Sequence, residues 1–273
     1  QPGTLAQTIG KDTVILEGLT IKGGVITVED LQVIPQMKNL KTLDVKGCSL
    51  ADAMNATIPG GIFSGHSALA VVTLPGNARQ LASGAFSSMP SLSTVVLPED
   101  LTHIEMSCFN SCKNLETINF PKALTVVGWS AFQGCEKLKK VHLGLKLNEL
   151  RGYAFNGCSA LEEVIIDGSP QNLGEHSFSG CISLKRLELN GTIAPTVGAS
   201  AFYHVDSDCK AIVPLKSVSK YKKAYGWKSL KLQGSHLVYS VVGEAGNLSS
   251  LLVPGNLVDT LQLSGTMNAT DVE

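Results

Sequence analysis

Four cysteines, Cys112, Cys135, Cys158 and Cys181, stand 23 residues apart in a chain of 273. A thiol can serve as nucleophile, metal ligand or half of a disulfide, and each role makes a demand on its neighbours. A nucleophile is a single position beside a base, and this one is repeated. A structural zinc site calls for close ligand pairs, but no Cys-x-x-Cys occurs and the six histidines show no paired spacing. Cys108 stands four residues before Cys112, yet it too falls on a repeat position. A disulfide between adjacent repeats needs Cβ atoms about 3.8 Å apart, closer than strands stacked at about 4.8 Å provide. Seven cysteines also cannot all pair. Packing remains, because free cysteine behaves as a small buried hydrophobe.

Other chemistry-bearing stretches are weaker. "GHSAL" (65–69) begins like a nucleophile elbow but lacks the closing glycine, and His66 occupies the repeat position that cysteine fills later. "GKDT" (10–13) has no glycine upstream at phosphate-loop spacing. Glu175-His176 is an isolated pair placed in a turn. The sequence therefore predicts no catalytic residue, no metal ligand and no cofactor.

The elements that carry these residues follow from the repeat. Phenylalanines fall at 63, 86, 109, 132, 155, 178 and 202. Three places later come His66, Met89, Cys112, Cys135, Cys158, Cys181 and Val205; six places later come Leu69, Leu92, Leu115, Leu138, Leu161 and Leu184. Next, Val164 and Ile166 with their equivalents are two apart. Spacing by three marks a helical turn and spacing by two a strand. Each repeat is thus a helical turn feeding a short strand, unable to bury its apolar face alone, and stacking is required.

Composition limits the partners. Lys+Arg 22 against Asp+Glu 23 leaves a formal net charge of −1, which gives no electrostatic footprint for nucleic acid. No apolar run approaches the roughly 18 residues of a membrane-spanning helix. No secretory signal opens the sequence, which reads as a mature or trimmed form.

The pattern small-Phe-x-x-Cys-x-x-Leu-x-x-Val-x-Leu, clearest in "SCFNSCKNLETINFP" (107–121), "SAFQGCEKLKKVHL" (130–143) and "YAFNGCSALEEVII" (153–166), resembles the BspA-like leucine-rich repeats of bacterial surface proteins. The expected fold is α/β: a right-handed leucine-rich-repeat solenoid of 23-residue repeats, with a parallel β-sheet along one face and short helices or turns on the other. The resemblance implies an extracellular or cell-surface location in a bacterium and a role in adhesion to host proteins.

Four segments are expected. Residues 1–60 hold divergent N-terminal repeats, in which Met37, Leu40, Leu43 and Val45 keep the later phase and Asp30 sits in a first helical turn. Residues 61–213 are the regular repeats. Residues 214–234 form a capping helix and strand, with Tyr221, Tyr225 and Trp227 folding over the last coil and a lysine-rich outer face. Residues 235–273 read as a linker and the start of a second, truncated module, because "GNLVDTLQLSGTMNATDVE" (255–273) echoes "VILEGLTIKGGVITVEDL" (14–31). The interval from Val45 to Leu74 is six residues too long, which marks the loop at 49–61 as a candidate for binding.

Strand residues that alternate with the buried ones face outward. Glu116, Lys139, Glu162 and Lys185 form one alternating-charge row, expected to pair across strands. Beside it lie Lys140, Glu163 and Arg186, then Asn119, His142 and Ile165. These last six are the candidate ligand-binding residues, with Asn119, His142 and Ile165 the least satisfied by their own neighbours. The expected function is a non-enzymatic recognition module with a host matrix or cell-surface protein as partner. A glycan is possible; nucleic acid and membrane insertion are not expected. A structural spacer and a carbohydrate-binding accessory are the alternatives.

Overall fold

A computed structural model describes residues 15–235, with Gly3 and Leu5 beside them and the backbone of strands Val238–Gly243 and Thr260–Gly265. Each coil contributes one short strand to a parallel ladder. Strands Gly18–Thr20, Thr42–Asp44, Val71–Thr73, Thr94–Val96 and Thr117–Ile118 pair in that order. Lys140–Leu143, Glu163–Ile166, Arg186–Leu189, Lys210–Pro214 and Lys231–Ser235 form a second run. Alternation follows the residue types: Val141 and Leu143 are buried, while Lys140 and His142 are exposed. The interruption between the two runs coincides with Phe120, which takes a position filled elsewhere by leucine or isoleucine. Its ring stands edge-on to Phe132 at 5.4 Å and to Phe155 at 6.3 Å.

A second parallel ladder, not foreseen from the sequence, runs along the coils. Seven two-residue strands pair in order from Thr57–Ile58 to Thr196–Val197, with one buried apolar residue closing each, such as Leu150 and Leu173. Two residues per coil carry too little periodicity to be read as strand, so only stacking reveals it.

The Phe-x-x-Cys-x-x-Leu blocks are successive turns rather than helices. The Cys158 N–H donates to the Phe155 carbonyl and the Leu161 N–H to the Cys158 carbonyl. The Phe155 N–H donates to Ser177 of the next coil, so even the turn side is laddered. The residue two before each Phe takes positive φ, from Ser107 at 56° through Tyr153 at 58° to His176 at 50°. That reversal lets the chain enter the turn block, and a side chain is tolerated there despite the usual preference for glycine.

The phenylalanines stack through the interior from Phe63 to Phe202, with centroids 5.1 to 6.0 Å apart. Both ends of the stack are closed. At the first, helix Val28–Val33 carries a capping box between Thr27 and Asp30. Buried Asp30 also accepts the N–H groups of Gly3 (2.7 Å) and Leu5 (2.9 Å), tying these two residues to the helix. Burial raises the Asp30 pKa, but the Leu5, Gly3 and Thr27 donors outweigh it and hold the carboxyl below its ordinary value. At the other end, Tyr221 and Trp227 are buried on the last coil, anchored to the carbonyls of Gly191 (2.9 Å) and Pro195 (3.0 Å). Tyr225 departs from expectation: it stands 81% exposed instead of folding over the coil. The expected restart at 235–273 lies mostly outside the described residues. Within it, Val238–Gly243 and Thr260–Gly265 pair in parallel, with Tyr239 opposite Leu261.

Candidate functional site

Cys112, Cys135, Cys158 and Cys181 are fully buried and free. Each thiol donates to a phenylalanine carbonyl of the preceding coil: Cys135 to Phe109, Cys158 to Phe132 and Cys181 to Phe155, all at 3.2 Å. The position takes a compact, largely apolar side chain (Met89 fills it in an earlier coil), and cysteine adds one weak donor to it. His66 supports the point, because its Nε2 reaches the Met37 carbonyl at 3.1 Å from the same repeat position. Burial, the largest influence, holds the His66 imidazole below its ordinary pKa. Burial also pushes Cys112 up to about 11 and Cys181 up to about 12. A thiol so hard to ionise is a poor nucleophile and a poor metal ligand. Among the described residues, no group of His, Cys, Asp or Glu side chains is arranged to hold a metal ion.

On the sheet face the predicted residues come together in part. Lys140, Glu163 and Arg186 lie opposite one another in register, with Lys140 Nζ 3.3 Å and Arg186 Nε 3.5 Å from the Glu163 carboxylate. Arg186 also pairs with Glu188. His142 aligns with Ile165, and its Nε2 lies 2.8 Å from Asp167 Oδ2. Asn190 holds the other Asp167 oxygen at 3.0 Å.

Two expectations on this face are corrected. Asn119 is not unsatisfied: its Oδ1 accepts the Leu97 N–H at 2.7 Å, and its Nδ2 donates to the Leu97 carbonyl at 3.0 Å. It brackets the Leu97 backbone where the strand run breaks, on the run that ends before Lys140. The alternating row also pairs differently. Glu116 meets Lys137 at 3.6 Å rather than Lys139, and the cross-strand ion pairs fall one row over. The 49–61 loop contains strands Ser49–Leu50 and Thr57–Ile58 joined by a turn, in which Asp52 accepts the N–H groups of Met54 and Asn55.

A feature the repeat pattern conceals lies along the second ladder. A trough of about 420 Å³ runs from Trp129 past Gly152 and Gly174 to Gly198. There it meets a larger one of about 730 Å³ between the last coil and the cap, lined by Tyr203, His204, Lys223, Tyr225 and Lys228. Val197 and Gly198 border both. Trp129 occupies a site three before Phe132 where other coils place Gly152, Glu175 or Ala199. That departure from the repeat is the one sequence signal pointing to the trough.

Stacked coils with in-register parallel strands, a buried phenylalanine column and charged residues along an open sheet define a solenoid of the leucine-rich-repeat class. The chain belongs to the family described as BspA type leucine rich repeat region, matched in six copies over residues 41–162 and 148–231. It is similar to the crystal structure of the leucine-rich repeat protein TpLRR from T. pallidum at 25% identity. That match covers 71% of this chain and 85% of that one, with a TM-score of 0.52. It shares its fold with the pneumococcal vaccine antigen PcpA at 16% identity, over 80% of this chain and 56% of that one, with a TM-score of 0.54. A comparison with curated proteins found no match.

Proposed function

We propose that the chain is a non-enzymatic recognition module, secreted or displayed on a bacterial surface, that adheres to a protein such as a host matrix or cell-surface protein through its sheet face. The observation that carries this reading is the cluster of Lys140, Glu163 and Arg186 with His142 and Ile165 beside it. These side chains project from paired strands, with Lys140 and Arg186 held by Glu163 and His142 by Asp167. Charged groups held in place on a rigid scaffold meet a complementary protein surface with little ordering cost. Solenoids commonly bind along such extended faces.

The test is surface plasmon resonance of the full chain against a panel of immobilised extracellular-matrix proteins. Saturable binding is expected to weaken at least about tenfold in the variant His142→Ala/Arg186→Ala, with an unchanged circular dichroism spectrum. Binding that survives both changes removes the site from this face. A chain that binds none of the panel saturably is a spacer and not an adhesin.

A further inference from the structure

We propose that the trough from Trp129 to Tyr225 is a second binding site, for an extended acidic oligosaccharide: a chain of sugar rings carrying carboxylate or sulfate groups. The first reason is the aromatic surface. Trp129 is 43% exposed, Tyr203 57% and Tyr225 81%, whereas Phe63, Phe86, Phe109, Phe132, Phe155 and Phe178 are fully buried. Exposed rings lining a concave surface offer flat apolar platforms, each with a polar edge, to ligand faces that are partly apolar and partly hydroxylated.

The second reason is the floor. The Trp129 ring lies so close over Gly152 that a Cβ there would overlap the indole, which fixes the orientation of the platform. A Cβ on Gly174 would run into the backbone of the preceding coil. From Trp129 to Gly198 the trough spans three coil spacings of about 4.8 Å each, with Glu149, Arg151, Asn172 and Thr196 along it. With the cap added, that length suits a chain of several sugar rings and exceeds what a single ring would fill. Each of the two volumes is within the usual scale of ligand clefts.

Charge selects the ligand's sign. Lys223 and Lys228 line the cap end together with His204, and no aspartate or glutamate lines that part of the trough. At the coil end Glu149 is engaged by Arg151 at 2.8 Å, and the exposed Glu175 side chain stands beside the Trp129 ring over Gly152, so the positive potential is confined to the cap end. An anionic substituent is thus favoured near Tyr225, as a matter of charge complementarity.

The backbone argues against an extended peptide. Strand addition needs free N–H and C=O groups along an edge. Here the ladder groups are consumed between coils: the N–H of Gly174 donates to Leu150 and that of Gly198 to Leu173, both at 2.8 Å. Recognition falls to ring faces and cations.

The chain's two tryptophans make the site easy to follow, because Trp227 is buried with its indole N–H bonded to Pro195 and only Trp129 meets the trough. The full chain is titrated with a heparin hexasaccharide, a hexamer of galacturonate, neutral cellohexaose and an acidic peptide of six glutamates, reading tryptophan fluorescence and heat. Saturable binding of at least one acidic sugar is expected, with a fluorescence change that disappears in Trp129→Phe. Affinity should fall about tenfold in Tyr225→Ala and in Lys223→Ala/Lys228→Ala, and remain unchanged in Lys46→Ala, a lysine at the far end of the array. Three results overturn the proposal: no saturable binding of either acidic sugar, equal binding of the glutamate peptide, or undiminished affinity for the acidic sugar in Tyr225→Ala.

Discussion

Replacing Phe155 with alanine tests the idea that the phenylalanine column is what couples one coil to the next. Phe155 is fully buried, stacked on Phe132 at 5.1 Å and on Phe178 at 5.6 Å, with the edge of Phe120 at 6.3 Å. Removing a buried phenyl ring costs about 3–5 kcal/mol through lost transfer energy and the cavity left behind. The upper half of that range is expected here, because the neighbouring rings are held by ladders on both sides and cannot collapse inward. Phe155→Leu keeps most of the volume and loses the two stacked pairs, each worth about 0.5–1.5 kcal/mol, so roughly 1–3 kcal/mol is expected. Phe202 supplies the contrast: it is only partly buried, stacks once at 6.0 Å and meets Trp227 at a tilt. Its alanine variant should cost about half as much as Phe155→Ala. Urea unfolding followed by far-ultraviolet circular dichroism measures all three. Since a solenoid is held by nearest-neighbour interfaces, Phe155→Ala should also lower the urea dependence as the two halves begin to unfold separately. A loss below about 1 kcal/mol for Phe155→Ala, or one no larger than for Phe202→Ala, would refute the coupling argument.

Alkaline pH should destabilise the fold through the thiol column. Burial pushes Cys112 up to about 11 and Cys181 up to about 12 in the folded chain, from 9.0 for a free thiol. Above about pH 9 the unfolded chain therefore releases protons that the folded chain keeps. Stability is full below that pH and is lost as pH rises through the folded values, by about 1 kcal/mol per such thiol at pH 10. Urea midpoints at pH 7.5 and pH 10 in reductant check this, and equal midpoints contradict it. Asp30→Ala should cost about 2–3 kcal/mol, the value of charge-assisted bonds to buried backbone donors plus a helix cap. Because the Asp30 carboxyl titrates below its ordinary 3.8, wild-type stability from this group is present above that pH and drains away as pH falls through the folded value. The variant's acid limb should accordingly be flatter in a pH series of thermal melts. Gly174→Ala should lose about 1–3 kcal/mol by overpacking, since its Cβ would overlap the backbone of Arg151 and Gly152. Gly23→Ala, with open space around it, should lie within about 0.5 kcal/mol of wild type by the same melts.

Much of this architecture was legible before any coordinate. The 23-residue recurrence named the buried columns, Phe155, Cys158, Leu161, Val164 and Ile166 among them, and every one is fully buried. Burial is a property of position within one repeat, and identical neighbours make it self-consistent from coil to coil. The strand register followed from the same constant step, so Lys140, Glu163 and Arg186 were placed opposite one another correctly.

Lateral pairing was not legible in the same way. Whether Glu116 reaches Lys137 or Lys139, and whether the Asn119 amide turns outward or brackets Leu97, depends on side-chain reach and on a break in the ladder beside Phe120. Neither is encoded in the period. The second ladder likewise needed stacking to exist, its strands being two residues long. The trough is tertiary in the fullest sense. It joins a tryptophan that departs from its own repeat, glycines from three later coils and a cap whose Tyr225 points away from the core. Sequence alone determined which residues this chain must hide, because hydrophobic periodicity acts within a single repeat. Only the folded stack decided which of the remaining residues share a surface, because that depends on how distant coils and the cap are brought side by side.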